Sequence, residues 1–515
     1  MSRHSRAAAL AAAFLLQPAI APGCSRSGDR PNLVVVTIDT LRADRVGRAA
    51  PDGSSLTPEI DRVAEDGVRF SRAFSATNIT NPSHLSIFSG VYPRNHAVYG
   101  NATRAGAALP TLAERLSKEG YATAGFVSAF HLQSLSGLES GFDAFPAPSA
   151  AEVRAAETVD RALAWLDSAG GREPYFLWVH AYDPHRPYEP PEDLAKRLLP
   201  EWVGRTAELE RRLAEAPDQE REAVARKEGV SISEIRAFVR DWKKAGKTLA
   251  DLEAHVADPG NPLVARVARA VRARRDLVGG SAWSEEDRKA MSDLYDAEVA
   301  SADRELGRLF DRARGGRTFL VVTSDHGESL GEHGIFFNHR GIFDSTLHVP
   351  LVVAGPGIAG GRVVRETVHL VDLVPTVLEL LGRGPARGLD GESIAGLALA
   401  TRQTLGPRPL FHENSYGIAA AVRDGRWKFV LPVPVESLSD RLRIEAWHDE
   451  ALFDLEADPD ETADASGRDA AVRVRLEALL REFQKLSPRF PTDASSAVEL
   501  SPEDRERLKQ LGYVY

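Results

Sequence analysis

Cysteine and excess positive charge are what this sequence most clearly lacks. Among 515 residues Cys24 is the only cysteine, which excludes a fold held together by disulfide bonds. Lys and Arg number 64 against 74 Asp and Glu, so the formal net charge is −10. A surface that binds nucleic acid needs a basic patch, and nucleic acid is therefore not expected as a partner.

The remaining composition is ordinary for a globular protein, with 43% hydrophobic and 27% charged residues. The chain is too long for one small core and suits a large domain joined to a smaller one. No internal repeat is visible in the sequence.

The first residues have the pattern of a targeting segment. Basic residues at 3–6 precede an apolar stretch over 7–16, which is too short to span a bilayer as a mature helix. The sequence Ala-Pro-Gly-Cys then ends at Cys24, as in a bacterial lipobox, and ordinary cleavage after Ala21 is the alternative. We expect residues 1–24 to be a lipoprotein-type signal peptide. The protein would then be exported to the periplasm or cell envelope of a bacterium and held on the membrane by a lipid on Cys24.

Apolar strands alternate with helical stretches through the main part of the chain, residues 31–400, and one helix is expected at 295–314, just before the strand at 318–324. NLVVVTI (32–38) and TFLVVTS (318–324) are continuous apolar runs, which is typical of strands buried on both faces. This alternation predicts an α/β fold with a large, mostly parallel sheet flanked by helices.

Two further regions differ in composition from the main part. Residues 190–290 are rich in Ala, Arg, Glu and Leu and read as amphipathic helices inserted over the sheet. A structural cap is favoured there over a partner-binding device. Residues 405–515 carry short strands separated by Asp/Gly turns, followed by a Ser-capped segment from 501, which predicts a small antiparallel sheet and a terminal helix.

Ionisable side chains stand where the strands end. Asp39 follows the first strand, Asp325 and His326 follow the strand at 318–324, and Thr80 precedes a helical segment. Ligands of open α/β sheets bind outside the carboxyl ends of the strands, so these groups are expected to converge. Two carboxylates, an imidazole and a hydroxyl suit a single divalent metal ion. A hydroxyl beside such an ion loses its proton more readily and becomes a nucleophile.

Four motifs in register give the chain a resemblance to the sulfatase family of the alkaline phosphatase superfamily. They are IDTLRAD at 38–44, T-x-P-S-H-x-S-x-F-S-G at 80–90, TSDHGESLGEHG at 323–334 and the tail AVRDGRWKFV…LFDLEADPDE. The resemblance runs from about residue 31 to the end and implies an alkaline phosphatase-like fold with 31–400 as the catalytic domain.

The resemblance also implies roles for particular residues. Asp39, Asp325 and His326 match the family's metal ligands, and Thr80 occupies the position of the nucleophile that also contacts the metal. One divalent ion is implied, calcium being the family default.

Histidines are the other residues to which the resemblance assigns a role. His185, in DPH, is expected to contact the substrate oxygen or leaving group, and His339 to protonate the leaving group or stabilise charge. His84 stands where the family has the arginine of C/S-x-P-S-R. For His180 a place in the core is favoured. Glu332 and His333, which lie beyond the glycine turn of the motif at 323–334, are expected to support the site rather than bind the metal.

The departures from the family pattern lie at the nucleophile and the metal. Sulfatases carry a Cys or Ser that matures to formylglycine, but Thr80 lacks the CH₂ group from which an aldehyde forms. Thr40 replaces a second acid, and His326 stands where many sulfatases carry Asn. These changes favour zinc or manganese over calcium.

These residues lead to three functional hypotheses. The first is a metal-dependent hydrolase in which Thr80 attacks a sulfate or phosphate ester, with phosphoesters somewhat favoured. Its substrate would be a small molecule or a glycan or lipid ester. The second is a transferase that moves a phospho-head group onto an envelope acceptor. The third is a non-catalytic binding lipoprotein with the same fold.

Overall fold

A mostly parallel sheet forms the centre of the molecule in the computed structural model, as the sequence predicts. The structure describes residues 30–169, 173–199, 284–414, 419–432 and 450–492, with isolated positions 266 and 502. In chain order the described strands are β1 (Asn32–Ile38), β2 (Val68–Phe74), β3 (Ala122–Val127), β4 (Tyr175–Ala181), β5 (Thr318–Ser324), β6 (Ser329–Leu330), β7 (Phe336–Asn338), β8 (His348–Ala354), β9 (Arg362–Val364), β10 (Val368–His369), β11 (Leu410–Glu413), β12 (Ala419–Asp424), β13 (Trp427–Pro432) and β14 (Ala451–Asp454).

Eight of the described strands make the central sheet, in the order β10-β2-β8-β5-β1-β4-β3, with β9 also paired to β2. Only β8 runs antiparallel to its neighbours β2 and β5 within this described sheet. Strand β1 lies between β4 and β5 and is parallel to both, with Ile38 opposite Ala181 and Ser324. The carboxyl ends of these three strands therefore lie side by side at the same edge of the sheet.

Side chains of β1 alternate between two apolar layers, which explains the unbroken apolar sequence of this strand. Val34 and Val36 belong to one buried cluster, and Leu33 and Val35 belong to the other. A strand with both faces covered has no polar face to present, as parallel sheets of α/β proteins require.

Helices cover both faces of the sheet. The described α-helices are α1 (Pro58–Asp66), α2 (Thr80–Ser89), α3 (Pro93–His96), α4 (Leu112–Lys118), α5 (Phe130–Ser134), α6 (Ala155–Ala169), α7 (Glu192–Leu198), α8 (Glu285–Ala313), α9 (Asp344–Leu347), α10 (Leu373–Leu380), α11 (Ala395–Ala398) and α12 (Ala470–Gln484). Apolar residues of α1, α6 and α8 pack on one face, and those of α2, α4 and α10 pack on the other.

The long helix α8 begins ten residues before the helix expected from the sequence at 295–314. Ser284 and Asp287 form a reciprocal capping box at its first turn, which fixes the start of the helix at Glu285. The 29-residue helix then runs along the sheet and ends at Ala313.

A second, antiparallel sheet of four described strands, β11-β12-β13-β14, follows the main part as predicted. Val422 and Phe429 pack with α12, whereas Ala421 and Val430 pack with Phe74 of the central sheet. The predicted signal peptide, most of the 190–290 insertion and the terminal helix from 501 lie outside the described residues. In the part of the chain that is described, no helix combines the length and apolarity needed to cross a bilayer.

Candidate metal centre

Two neighbouring strand ends bring Asp39, Asp325 and His326 together. Asp39 follows β1 and Asp325 follows β5, at positions opposite each other in the sheet register. One potential ligand atom from each of the three residues lies within 4.8 Å of the others, and all three side chains are buried. The convergence expected from the sequence is thus observed.

The atoms that face one another in this cluster lack hydrogen bonds to any described residue. They are Asp39 Oδ1, Asp325 Oδ2 and His326 Nε2, and the imidazole nitrogen lies 3.8 and 3.4 Å from the two carboxylate oxygens. His326 Nδ1 lies 3.1 Å from the Gly327 carbonyl oxygen, to which it donates, and this leaves the Nε2 lone pair free for a ligand. Buried polar atoms without partners are costly, so these residues fit a divalent cation well.

Burial also shapes the electrostatics of the cluster. It raises the pKa of Asp39 well above the usual value, with the nearby Glu152 carboxyl adding to the effect. Burial and the neighbouring Asp39 likewise raise the pKa of Asp325, while burial lowers the pKa of His326. A bound cation would favour the ionised forms of the two acids and so oppose these shifts.

A strained turn after β1 directs the backbone toward Asp325. Thr40 has a positive φ of 56°, which is rare for a β-branched residue and costs roughly 1–3 kcal/mol. In this conformation its N–H lies 3.3 Å from Asp325 Oδ1, which also accepts from the His326 N–H at 2.8 Å. The Tyr295 hydroxyl holds the turn by donating to the Thr40 carbonyl at 2.8 Å.

Thr80 is the first residue of α2 and is fully buried beside the cluster. Its hydroxyl lies 3.5 Å from Asp39 Oδ2. The helix is tied to the metal-ligand loop because the Ser83 hydroxyl donates to the Asp325 carbonyl at 2.7 Å. The N-terminus of a helix favours negative charge, so anionic groups at this position are stabilised.

His84 has both ring nitrogens engaged by the protein. Nδ1 donates to the Thr80 carbonyl at 2.8 Å, and Nε2 accepts from the Thr37 hydroxyl at 2.9 Å. The Thr37 oxygen in turn accepts from the Trp178 indole N–H at 3.0 Å. Burial and His180 lower the pKa of His84 well below its usual value, so it stays neutral. Although the sequence suggested a catalytic role, the structure leaves neither nitrogen of His84 available to a substrate.

His339 lies beside His326, and His185 lies beside His339. The His339 ring centroid is 4.4 Å from that of His326 and 5.4 Å from that of His185. His339 Nδ1 donates to the Asn78 carbonyl at 2.7 Å, and His185 Nδ1 donates to the Arg186 carbonyl at 2.7 Å. Burial lowers the pKa of His339 to about 4, so both rings are neutral before an anion binds.

Glu332 and His333 lie in supporting positions. Glu332 accepts from Arg42 at 2.7 Å, and the His333 ring stacks on Phe343 with centroids 3.5 Å apart. Neither belongs to the cluster of potential metal ligands found among the described residues. That the two residues support the site stays a prediction.

Two further groups lie beside the cluster: His180, which the sequence assigned to the core, and the half-buried Glu152, which the sequence did not single out. His180 lies in β4 with Nε2 3.6 Å from Asp39 Oδ2, and neither of its ring nitrogens has a hydrogen-bond partner among the described residues. It is buried as expected but is not a satisfied core residue. Burial raises the pKa of Glu152 to about 7, and its charge acts on Asp39. The position of His180 one residue before the end of a strand was the only signal for it.

Comparison with known proteins agrees with this architecture. The choline-sulfatase of Rhizobium meliloti (strain 1021) is 24% identical over 486 residues, which cover 84% of this chain and 81% of that protein. A phosphonate monoester hydrolase from Agrobacterium radiobacter has a TM-score of 0.61 at 22% identity, covering 88% of this chain and 95% of that chain. A protein solved in complex with its substrate D-glucosamine-2-N,6-O-disulfate has a TM-score of 0.63 at 20% identity, covering 92% and 100%. At these identities the structural likeness shows the fold.

A doubly covered α/β sheet with a buried acid–acid–histidine cluster at its carboxyl edge defines an α/β protein with a candidate metal site at its strand ends. The family profile described as Sulfatase matches residues 31–383, well over half of the chain. The chain belongs to the sulfatase family.

Proposed function

We propose that the protein hydrolyses phosphate-type esters, phosphodiesters or phosphonate monoesters, through Thr80 as nucleophile. The observation that carries the proposal is the position of the Thr80 hydroxyl, 3.5 Å from Asp39 and beside three unpartnered ligand atoms. Asp39, Asp325 and His326 would hold one divalent ion, with Thr80 beside it. Zinc or manganese is favoured over calcium because an imidazole nitrogen belongs to the ligand set.

The ion would supply positive charge that lowers the pKa of the Thr80 hydroxyl and stabilises the ester oxygens. The Thr80 hydroxyl loses its proton to solvent and its oxygen attacks phosphorus: an Oγ–P bond forms, the bond from phosphorus to the leaving alcohol oxygen breaks, and that oxygen takes up a proton. Water attacks the phospho-threonine at phosphorus and releases the product with Thr80 regenerated. Helix α2 holds the nucleophile with its N-terminus toward the developing negative charge.

His185 and His339 would contact the ester from the side of the His326 ring. His339 donates through Nδ1 to the Asn78 carbonyl, which leaves its Nε2 to face a ligand, and His185 is held by its Nδ1 contact to the Arg186 carbonyl. A bound anion raises the pKa of a neighbouring imidazole, so the proton needed by the leaving group can reside there once the substrate has bound. His84 would position Thr80 through its hydrogen bond to the Thr80 carbonyl.

The choice of phosphorus over sulfur follows from the nucleophile. Thr80 carries a methyl group on the carbon that bears its oxygen and cannot become an aldehyde hydrate, so it has no gem-diol with which to expel sulfate. A phospho-threonine can instead be resolved by attack at phosphorus. The structural likeness to phosphonate monoester hydrolases is in keeping with this preference but shows the fold alone.

A substrate panel with matched variants tests the proposal. The chain, stripped of metal and reloaded with Zn²⁺, Mn²⁺ or Ca²⁺, is assayed on 4-nitrophenyl sulfate, 4-nitrophenyl phosphate, bis(4-nitrophenyl) phosphate and 4-nitrophenyl phenylphosphonate. We expect the diester and phosphonate to turn over fastest with Zn²⁺ or Mn²⁺. Thr80→Ser should retain activity, whereas Thr80→Ala should lose about 1,000-fold or more.

Each alternative has a distinct outcome in this assay. Equal activity of Thr80→Ala and wild type would reject the nucleophile, and sulfate hydrolysis above phosphonate hydrolysis would reject the preference for phosphorus. Product release that requires an added alcohol acceptor such as glycerol would indicate a transferase. Inactivity of the wild type with every metal would favour a binding protein.

A further inference from the structure

His180 is fully buried. Its backbone makes hydrogen bonds, but its imidazole ring makes none to the described residues. Its carbonyl accepts from the Ser128 N–H at 3.1 Å and from the Ser128 hydroxyl at 2.8 Å. Its register in the sheet is fixed by Thr37 on one side and Val127 on the other. Within the described residues, however, neither ring nitrogen has a hydrogen-bond partner.

A purely structural role does not account for this side chain. Burying a polar group without a partner costs about 1–3 kcal/mol, and an apolar side chain of the same shape would avoid that cost. The His84 ring lies beside it, with centroids 5.0 Å apart, and Asp39 Oδ2 lies 3.6 Å from His180 Nε2. Both nitrogens of His84 are already engaged. Asp39 Oδ2 is therefore the acceptor that the His180 ring faces.

The two oxygens of Asp39 face different ways. Oδ1 belongs to the side of the cluster with His326, at 3.8 Å from its Nε2, whereas Oδ2 faces Thr80 and His180. An ion on the Oδ1 side would leave Oδ2 as a charged acceptor that needs a donor. The Nε2–H tautomer of a neutral imidazole supplies such a donor without adding a charge.

We propose that His180 is a positioning residue that donates from Nε2 to Asp39 Oδ2 and so orients Asp39 as a ligand of the metal ion. This role rests on the proposed metal site. His180 would raise the affinity for the metal ion by orienting Asp39, without binding the ion itself. Such hydrogen bonds to ligating carboxylates typically contribute 10–100-fold to metal affinity.

Titration calorimetry with Zn²⁺ or Mn²⁺ alone tests this role without any substrate. In His180→Phe we expect the metal Kd to rise by about 10–100-fold at unchanged stoichiometry. His180→Gln keeps a side-chain N–H and should recover most of the affinity. The metal-free His180→Phe protein should melt no lower than wild type, because an unsatisfied polar group has been replaced by an apolar ring.

His96→Phe is the matched control. His96 is also fully buried, but its Nε2 lies 3.1 Å from the Ser86 hydroxyl and its Nδ1 accepts from the Val98 N–H at 3.2 Å. Its replacement should lower the melting temperature and leave the metal Kd unchanged.

The outcomes separate this inference from the proposed function. An unchanged Kd in His180→Phe overturns the role of His180 while the metal site stands. Loss of a whole equivalent of metal would also overturn it, because His180 would then be a ligand itself. Failure of wild type to bind either metal would reject the proposed site.

Discussion

A histidine at position 84, where the family motif has an arginine, has a different role from that arginine. An arginine there would bring a permanent positive charge, but His84 is neutral and shares its two nitrogens between Thr37 and Thr80. The chain Trp178–Thr37–His84–Thr80 has one consistent hydrogen order, from the indole N–H to the Thr80 carbonyl. Position 84 thus holds the first turn of α2 in place of supplying charge.

Thr37→Val breaks this hydrogen-bond chain with almost no change in shape. The substitution leaves the Trp178 N–H and His84 Nε2 buried without partners, and each such group costs about 1–3 kcal/mol. We expect the free energy of unfolding, measured by urea titration, to fall by about 2–4 kcal/mol. We also expect kcat to fall while KM changes little, because Thr80 loses its support.

Thr37→Ser serves as the control for this prediction, since it retains the hydroxyl. It should keep most of the stability and activity, apart from the small cost of a lost methyl group. A Thr37→Val protein as stable and active as Thr37→Ser would contradict the hydrogen order inferred for His84.

At the scale of elements, the C-terminal sheet holds the loop that carries His339. Lys428 of β13 is fully buried and pairs with Asp344 at 3.0 Å and with Glu461 at 2.6 Å. The Asp344 N–H donates to Glu461 at 2.6 Å, and the Asn414 amide donates to the Arg340 carbonyl at 2.6 Å. These contacts fix both ends of the segment between His339 and α9.

Lys428→Met should therefore affect both stability and activity. Removing one partner of a buried ion pair costs about 3–5 kcal/mol, and the lower end applies because Asp344 still pairs with Arg423. We expect a loss of about 3 kcal/mol in urea titrations together with a fall in kcat as the His339 loop loosens. Metal affinity should change little, because the ligand strands lie in the other sheet.

The ion pair between Arg475 of α12 and Asp424 of β12, at the surface of the same C-terminal region, provides the comparison. Arg475→Ala should cost about 0–1 kcal/mol and leave kcat unchanged, as is usual for surface ion pairs. If Lys428→Met lost stability yet kept the wild-type kcat, the C-terminal sheet would have no part in holding the loop.

The sequence predicted strands and their ends better than it predicted the surroundings of side chains. The apolar runs at 32–38 and 318–324 are β1 and β5, and the acids after them meet as expected. The start of α8 was placed too late, because the capping role of Ser284 depends on a local contact rather than on apolar periodicity. His180 was assigned to the core because a strand pattern shows that a ring is buried but not whether its nitrogens have partners.

At the scale of the whole molecule, we propose that the chain is exported and tethered by a lipid on Cys24. The basic, apolar and lipobox-like segments of residues 1–24 support this proposal. In a bacterial host the wild type should fractionate with membranes, and mass spectrometry should find Cys24 modified. Cys24→Ser should abolish the modification and release the protein from the membrane fraction. A membrane-bound Cys24→Ser protein or an unmodified wild-type Cys24 would contradict the anchor.

The metal site should make the stability of the whole chain depend on pH in a defined direction. The pKa values of Asp39 and Asp325 are raised in the folded, metal-free protein, chiefly by burial. In the unfolded chain these carboxyls titrate near the ordinary value of about 3.9. The folded state therefore binds more protons, and the stability that these groups contribute is complete below about pH 4 and is lost as the pH rises toward their folded pKa values.

Metal binding reverses this trend because the cation must displace the same protons. Its affinity should rise with pH, and the stabilisation grows as the metal concentration exceeds Kd, reaching about 2.7 kcal/mol at 100 Kd. We expect the difference in melting temperature between Zn²⁺-loaded and EDTA-treated protein to widen steadily from pH 5 to pH 8. Asp325→Asn removes an ionisable ligand and should show almost no difference at any pH. If this difference in melting temperature stayed constant or narrowed with rising pH in the wild type, the buried carboxyls would not be the groups that bind the cation.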